Sequence, residues 1–188
     1  MIGEYKGEVN NRVVTALLQA YLDVLDYDGM KSILKEAEML HIKDIRDVDP
    51  EGTLGFFSFK KIIAAQNCLL FESTQLLFEI GRKFSFYLFP FGKNFEESVA
   101  AINNLIQTDW EVKVSEKNEN QFKVRIDNCI FCSETGVSCD LFIGFLVHSL
   151  EKTLTTQEKI VYGGQKIDLS KRDHNSFTLT LNIEKNNK

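Results

Sequence analysis

The sequence predicts an α+β protein, with an antiparallel sheet of about four strands packed against several helices. Three observations carry that expectation. Apolar residues recur at helical spacing through the first half of the chain. At Trp110 the period switches to two. The element order is then helices, hairpin, helix, hairpin, without the strand–helix–strand alternation of a doubly wound parallel sheet. The chain reads as one domain over residues 1–188, with an N-terminal helical pair at about 8–41 and a core at about 54–185.

From Val9 to Leu25, the residues Val13, Leu17, Tyr21 and Val24 mark an amphipathic helix that stops near Asp28-Gly29. A second helix covers about Met30 to Leu40, with Ile33, Leu34, Ala37 and Leu40 on one side. His41 to Thr53, with Asp-Pro-Glu-Gly at 49–52, reads as a loop. The apolar region from Leu54 to about Phe89 reads as helix with an interruption, although Phe84 to Phe89 has the composition of a strand. Asn94 with Glu97 has the spacing of a capping box, opening a helix from Phe95 to Ile106. Trp110, Val112 and Val114, then Phe122, Val124 and Ile126, form a hairpin that turns at Glu116 to Asn120. A helix from about Ser138 to Leu154 follows. The last hairpin is Lys159 to Asp168, bulged at Gly163-Gly164, a turn at Lys171 to Asn175, and Ser176 to Ile183.

Composition narrows the function. Hydrophobic residues make up 44% and charged residues 26%, enough to build a core. The formal net charge of −5, with lysines interspersed among acids, argues against nucleic acid as a partner. The longest nearly uncharged apolar stretch, Ile62 to Phe71, is far short of the roughly 20 residues a membrane span needs, and Met1 to Lys6 holds no apolar signal core. The expected location is therefore cytoplasmic. Fifteen phenylalanines against one tryptophan need burial in a core, an interface or a ligand cavity.

Chemistry concentrates at Cys129-Ile130-Phe131-Cys132, with Cys139 seven residues on. Two thiolates two residues apart can grip one metal ion, and a third can come from a helix N-terminus at Cys139. Zinc is the candidate ion, and no other cofactor is called for. A fourth ligand is missing locally, with His148 and His174 as the remaining candidates. The alternative is that these cysteines are small buried hydrophobes. No phosphate-binding loop, dinucleotide fingerprint, His-Glu-x-x-His or nucleophile elbow is present. A non-enzyme is expected. Gly81 and Gly144 stand inside helical patterns, where close packing is the reason to tolerate a glycine.

These pieces resemble the 4-vinyl-reductase domain family of small-molecule and hydrocarbon-binding modules, whose fold is shared with the TRAPP vesicle-tether subunits and, more distantly, with haem-based nitric-oxide sensors. Asn11 to Lys35 looks like the family's N-terminal helix pair, Phe78-Glu79-Ile80-Gly81-Arg82 like its aromatic-glycine helix motif, and Asn128 to Cys132 with Cys139 and Gly144-Phe145-Leu146 like its cysteine motif. Two further cysteines that many members carry in the final hairpin are absent from Lys159 to Phe177. The resemblance implies a non-catalytic module for an apolar small molecule or lipid (acyl, isoprenoid or tetrapyrrole-like). It would act as a sensor or scaffold, as a homodimer or a related-subunit heteromer joined through the N-terminal helices. Leu69, Leu70, Leu77, Phe84, Phe142 and Phe145 would line its cavity, and Arg82 would either anchor a polar head group or stand in a surface salt bridge. The alternatives are a ligand-free assembly subunit like the vesicle-tether proteins and a cysteine metal or redox protein.

Overall fold

The computed structural model describes residues 6–42, 45–132, 139–162, 166–167 and 176–185. The predicted turn at Lys171 to Asn175 and bulge at Gly163-Gly164 lie outside them. The architecture is α+β with antiparallel sheets, as the periodicity predicts. The elements are β1 (Glu8–Asn10), α1 (Asn11–Glu36), a 3-10 turn at Ile45–Asp47, β2 (Thr53–Gly55), α2 (Phe56–Leu69), α3 (Thr74–Leu88) and α4 (Phe95–Leu105). They continue with β3 (Ile106–Gln107), β4 (Glu111–Asn118), β5 (Gln121–Asp127), α5 (Asp140–Glu151), β6 (Glu158–Tyr162), β7 (Lys166–Ile167) and β8 (Phe177–Lys185).

The main sheet runs β4-β5-β8-β6, with β7 also paired to β8. Its register places Val124 opposite Leu179 and Ile126 opposite Phe177. Those side chains, with Val112, Phe122 and Leu181, are buried, while Lys123 and Arg125 alternate onto the other face. One pleated face therefore serves the core. A second, small sheet has the order β2-β1-β3. There Val9, fully buried, pairs with Leu54 on one side and Ile106 on the other. Strands of two or three residues carry no readable alternation, so this sheet was not predicted.

The N-terminal helical pair is a single kinked element. The break comes at Asp26, in the left-handed region at φ 63°, and not at Asp28-Gly29. Asp26 can serve there because its carboxylate accepts the N–H groups of Asp28 (2.9 Å) and Gly29 (3.0 Å), capping the second half. Val13, Val14, Leu17, Leu18 and Tyr21 of α1 are buried within the chain, and α1 packs on α3. The apolar face assigned to a dimer partner is thus spent on the chain's own core, and the dimer expectation loses its basis.

Phe84 to Leu88 is helical. α3 ends at Phe89, immediately before Pro90, as a proline requires of its predecessor. The capping box opens α4 as predicted: Glu97 N–H donates to Asn94 Oδ1 (2.9 Å) and Asn94 N–H to Glu97 Oε2 (3.0 Å). No described helix is long and apolar enough to cross a membrane.

α3 is the central helix, flanked by α1 and α5. Its contact with α5 is backbone on backbone. A Cβ at Gly81 would lie 1.8 Å from the Leu141 carbonyl oxygen, and one at Gly144 would lie 2.1 Å from that of Phe78. Beside this crossing a buried Ser85–Ser149 hydroxyl pair closes at 2.8 Å. Lys152 Nζ donates to the carbonyls of Ser85 (3.1 Å) and Phe89 (2.6 Å), placing a cation at the C-terminus of α3.

Candidate functional site

Strand β5 ends at Asp127, and Asn128, with a φ of 52°, turns the chain sharply. Asparagine tolerates this region better than most residues. Its Nδ2 donates to the Asp109 carbonyl (3.0 Å), which holds the turn. The next four residues, Cys129 to Cys132, are all buried. α2 ties down their backbone. Lys60 Nζ donates to the carbonyls of Ile130 (3.1 Å) and Cys132 (3.4 Å), and Asn67 Nδ2 donates to that of Phe131 (3.3 Å). Asn67 Oδ1 accepts from Gln66 Nε2 (2.9 Å), and Gln66 Oε1 accepts from the Tyr21 hydroxyl (2.7 Å). A buried polar chain therefore runs from α1 through α2 to the cysteine loop. Such a chain is stable only when each member is satisfied.

Cys139 is the N-cap residue of α5 and returns to this loop. Its Sγ lies 3.0 Å from that of Cys129, and the Sγ atoms of Cys129, Cys132 and Cys139 all fall within 4.8 Å of one another. Burial opposes charge on Cys129. Hydrogen bonds from Cys132, Cys139 and the N–H groups of Phe131 and Cys132 overcome it and hold that thiol well below its usual range. The hydrogen bond to Cys129 pushes Cys132 up, and burial with bonds to its two neighbours pushes up Cys139. Cys68 is exposed and takes no part.

Against the triad stands a cluster of rings. Phe131, Phe142 and Phe145 form a parallel column, with centroids 5.2 and 5.4 Å apart and interplanar angles of 10° and 12°. Trp110 meets Phe131 (5.7 Å) and Phe142 (5.4 Å) edge-on, and Phe84 sits 5.2 Å from Phe145. Phe59 abuts Phe131, and Phe89 abuts Phe145.

The structure brings together Phe84, Phe142 and Phe145 of the expected cavity, and Leu77 is buried in the same core. It does not bring Leu69, which is 47% exposed at the end of α2, and Leu70 is only partly buried beside it. Arg82 is on the surface, paired with Glu151 (3.0 Å) and Glu79 (3.9 Å). Trp110 and Phe59 were missed as ring neighbours, as was the Tyr21-Gln66-Asn67 chain. The available signal was two consecutive polar residues, Gln66 and Asn67, inside an otherwise apolar helical run. His148 lies on α5 against Phe86 (6.4 Å), away from the triad, and its Nδ1 is buried without a partner. His174 lies outside the described residues.

No protein-family model matches the sequence, and no curated protein does. Solved structures do match. One is an oxygen-binding H-NOX domain related to soluble guanylate cyclases, in its oxygen complex. It has a TM-score of 0.60 and 13% identity, over 96% of this chain and 98% of that one. Another is an Fe(II) unliganded H-NOX protein from K. algicida, with a TM-score of 0.60 and 15% identity, over 96% and 99%. A third, with a TM-score of 0.58 and 13% identity over 95% and 96%, is described by work on heme redox potential and porphyrin distortion. The chain has the H-NOX fold.

This corrects two expectations. The 4-vinyl-reductase and TRAPP resemblance is not supported: the matched structures are H-NOX domains. Its glycine motifs are what any close crossing of two helices demands, so they carry little family information. The zinc expectation also falls. The matched structures are described by heme and iron, and zinc sites are closed by four donors where the described residues supply three.

Proposed function

We propose that this chain is a non-catalytic small-molecule-binding module on the H-NOX fold, one domain over 1–188, that works without heme. Its ligand is apolar and flat. The fold likeness over nearly the whole chain supports a binding module. The observation that carries the ligand class is the buried column of Phe131, Phe142 and Phe145. The column is offset-stacked, the ordinary packing of buried rings, and a further planar ring stacks on such faces in the same way.

The described residues do not fit a heme. A heme needs an axial donor pointing into a slot as wide as the macrocycle. Seven side-chain rings in mutual contact stand beside the triad, so a small flat ligand enters by parting a ring pair, whereas a macrocycle finds no slot of its width. His41 is exposed and His148 packs on the outer side of α5 beside Phe86, itself 44% exposed. The Tyr21 hydroxyl is committed to Gln66, and the three thiols converge within 4.8 Å of one another, a set for one bare ion and not a single donor presented to a macrocycle. No step here depends on iron.

Trp110, the sole tryptophan, stands at the edge of the ring column and provides the readout. Native mass spectrometry of the purified chain should show an apolar mass released on denaturation, and polycyclic aromatic probes should shift Trp110 emission saturably. Added hemin should give no stoichiometric Soret band. A one-to-one hemin complex would overturn the heme-free reading. A bare chain whose emission ignores every flat apolar probe would overturn the binding reading and leave the assembly subunit.

A further inference from the structure

We infer that Cys129, Cys132 and Cys139 form a three-sulfur site for a soft monovalent cation, Cu(I). Four observations carry this. First, three buried thiols from two different segments converge, their Sγ atoms within 4.8 Å of one another, so one ion can touch all three. A disulfide needs a pair, and plain packing needs no convergence at all. Second, no histidine, aspartate or glutamate among the described residues joins the group. Three sulfurs complete a trigonal site, whereas tetrahedral zinc wants a fourth donor. Thiolates select soft ions, and oxygen-seeking cations such as magnesium and calcium find nothing here to bind.

Third, positive groups surround the sulfurs. Cys139 stands at the positive end of α5, and the Lys60 ammonium is anchored on the carbonyls of Ile130 and Cys132. Three thiolates on a monovalent ion keep net negative charge, which these groups offset, and the thiol protons pass to solvent as the ion binds. Fourth, the loop is held in shape before any ion arrives. Its three carbonyls are bound by Lys60 and Asn67, and Asn67 is held in turn through Gln66 and Tyr21. Outer partners of this kind orient ligands and raise affinity. Ile130, Phe131 and Phe142 are buried around the site, so water is poorly placed to supply a fourth ligand.

This site stands apart from the flat-ligand reading, and either can fail without the other. The test is an anaerobic titration of the full chain with Cu(I) in competition with a chromophoric Cu(I) chelator. The chain should withdraw one equivalent. C68S should behave identically, because Cys68 is exposed and remote. C129S, C132S and C139S should each weaken retention by at least about 100-fold, beyond the loss typical of an outer-partner change. Copper-edge X-ray absorption of the loaded wild type should show a first shell of three sulfurs, which keeps the proposal testable if a serine variant fails to fold. It is overturned if the chelator keeps all the copper. It is equally overturned if the triple serine variant binds as well as wild type, if the first shell contains nitrogen or oxygen, or if equimolar zinc displaces the copper.

Discussion

Replacing Gly144 by alanine gives the sharpest test of the α3–α5 crossing. Helix propensity alone predicts that Gly→Ala stabilises a helix interior by about 1 kcal/mol. The structure predicts the opposite sign. A Cβ at Gly144 would sit 2.1 Å from the Phe78 carbonyl oxygen and 2.9 Å from its carbonyl carbon. Carbon approaches a carbonyl oxygen to about 3.3 Å, so the two backbones have to part by roughly 1 Å. No rotamer change can relieve a clash with backbone. A gap of about 0.5–1 Å forfeits a quarter to a half of each contact's dispersion energy along the interface. It also stretches the Ser85–Ser149 hydrogen bond that closes the same face. Overpacking costs about 1–3 kcal/mol, and the broken hydrogen bond about 1 kcal/mol more. The expected net destabilisation is about 1–3 kcal/mol after the propensity gain. Gly81→Ala, with its Cβ 1.8 Å from the Leu141 oxygen, should cost at least as much. The double variant should cost less than the sum, because one separation of the helices relieves both clashes. Urea unfolding followed by circular dichroism measures all three. If either single variant matches wild type or exceeds it, the helices do not cross as closely as described.

Two further outcomes follow from buried polar groups. Tyr21→Phe removes the hydroxyl that Gln66 Oε1 accepts in a fully buried site, and should cost about 1–3 kcal/mol of stability in the same urea assay. A neutral result would show that Gln66 finds another partner. Burial first, then repulsion from Lys152, Arg82 and Lys83, lowers the His148 pKa to about 4 from 6.5. As pH falls, the unfolded chain therefore takes up this proton before the folded one, so His148's share of stability is complete above pH 6.5 and is lost towards pH 4. Discounted for the ring's partial exposure, that loss is about 1–2 kcal/mol. The stability difference between wild type and H148Q should shrink by that amount across the window, and parallel pH profiles would rule the linkage out.

Legibility in the sequence followed the range of the interaction. The capping box of Asn94 and Glu97 acts across three residues and was readable outright. Val124, Ile126, Leu179 and Leu181 announced their strands because one pleated face is buried and the other is not. The kink at Asp26 was misplaced onto Asp28-Gly29, because a glycine reads as a helix stop while a carboxylate that caps its own break looks like any surface acid. At the candidate site, the Cys-x-x-Cys spacing is local and showed itself, and Cys139 was placed correctly at a helix start. Which ion three sulfurs can hold depends on the absence of a fourth donor among the described residues around them, which spacing does not reveal. Tyr21 and Gln66 lie 45 residues apart, so their hydrogen bond belongs to the packed fold and to no pattern in the chain. For Arg82 the sequence left a head-group anchor and a salt bridge both open, and only the fold brings Glu151 beside it.

The small sheet has a consequence for the order of events in folding. Val9 has Leu54 on one flank and Ile106 on the other, so β1 bridges two hydrogen-bonded partners that enclose α2 through α4 between them. Entropy alone does not forbid so wide a ring, since each doubling of loop length adds only about 0.6 kcal/mol. Timing is another matter. β1 can be sandwiched only after β2 and β3 have been delivered to the same place by the helices between them, so its hydrogen bonds reward no earlier step. The strand that starts the described architecture is then the keystone, set last and free to leave first, and amide exchange at Val9 should run ahead of exchange in β5 and β8.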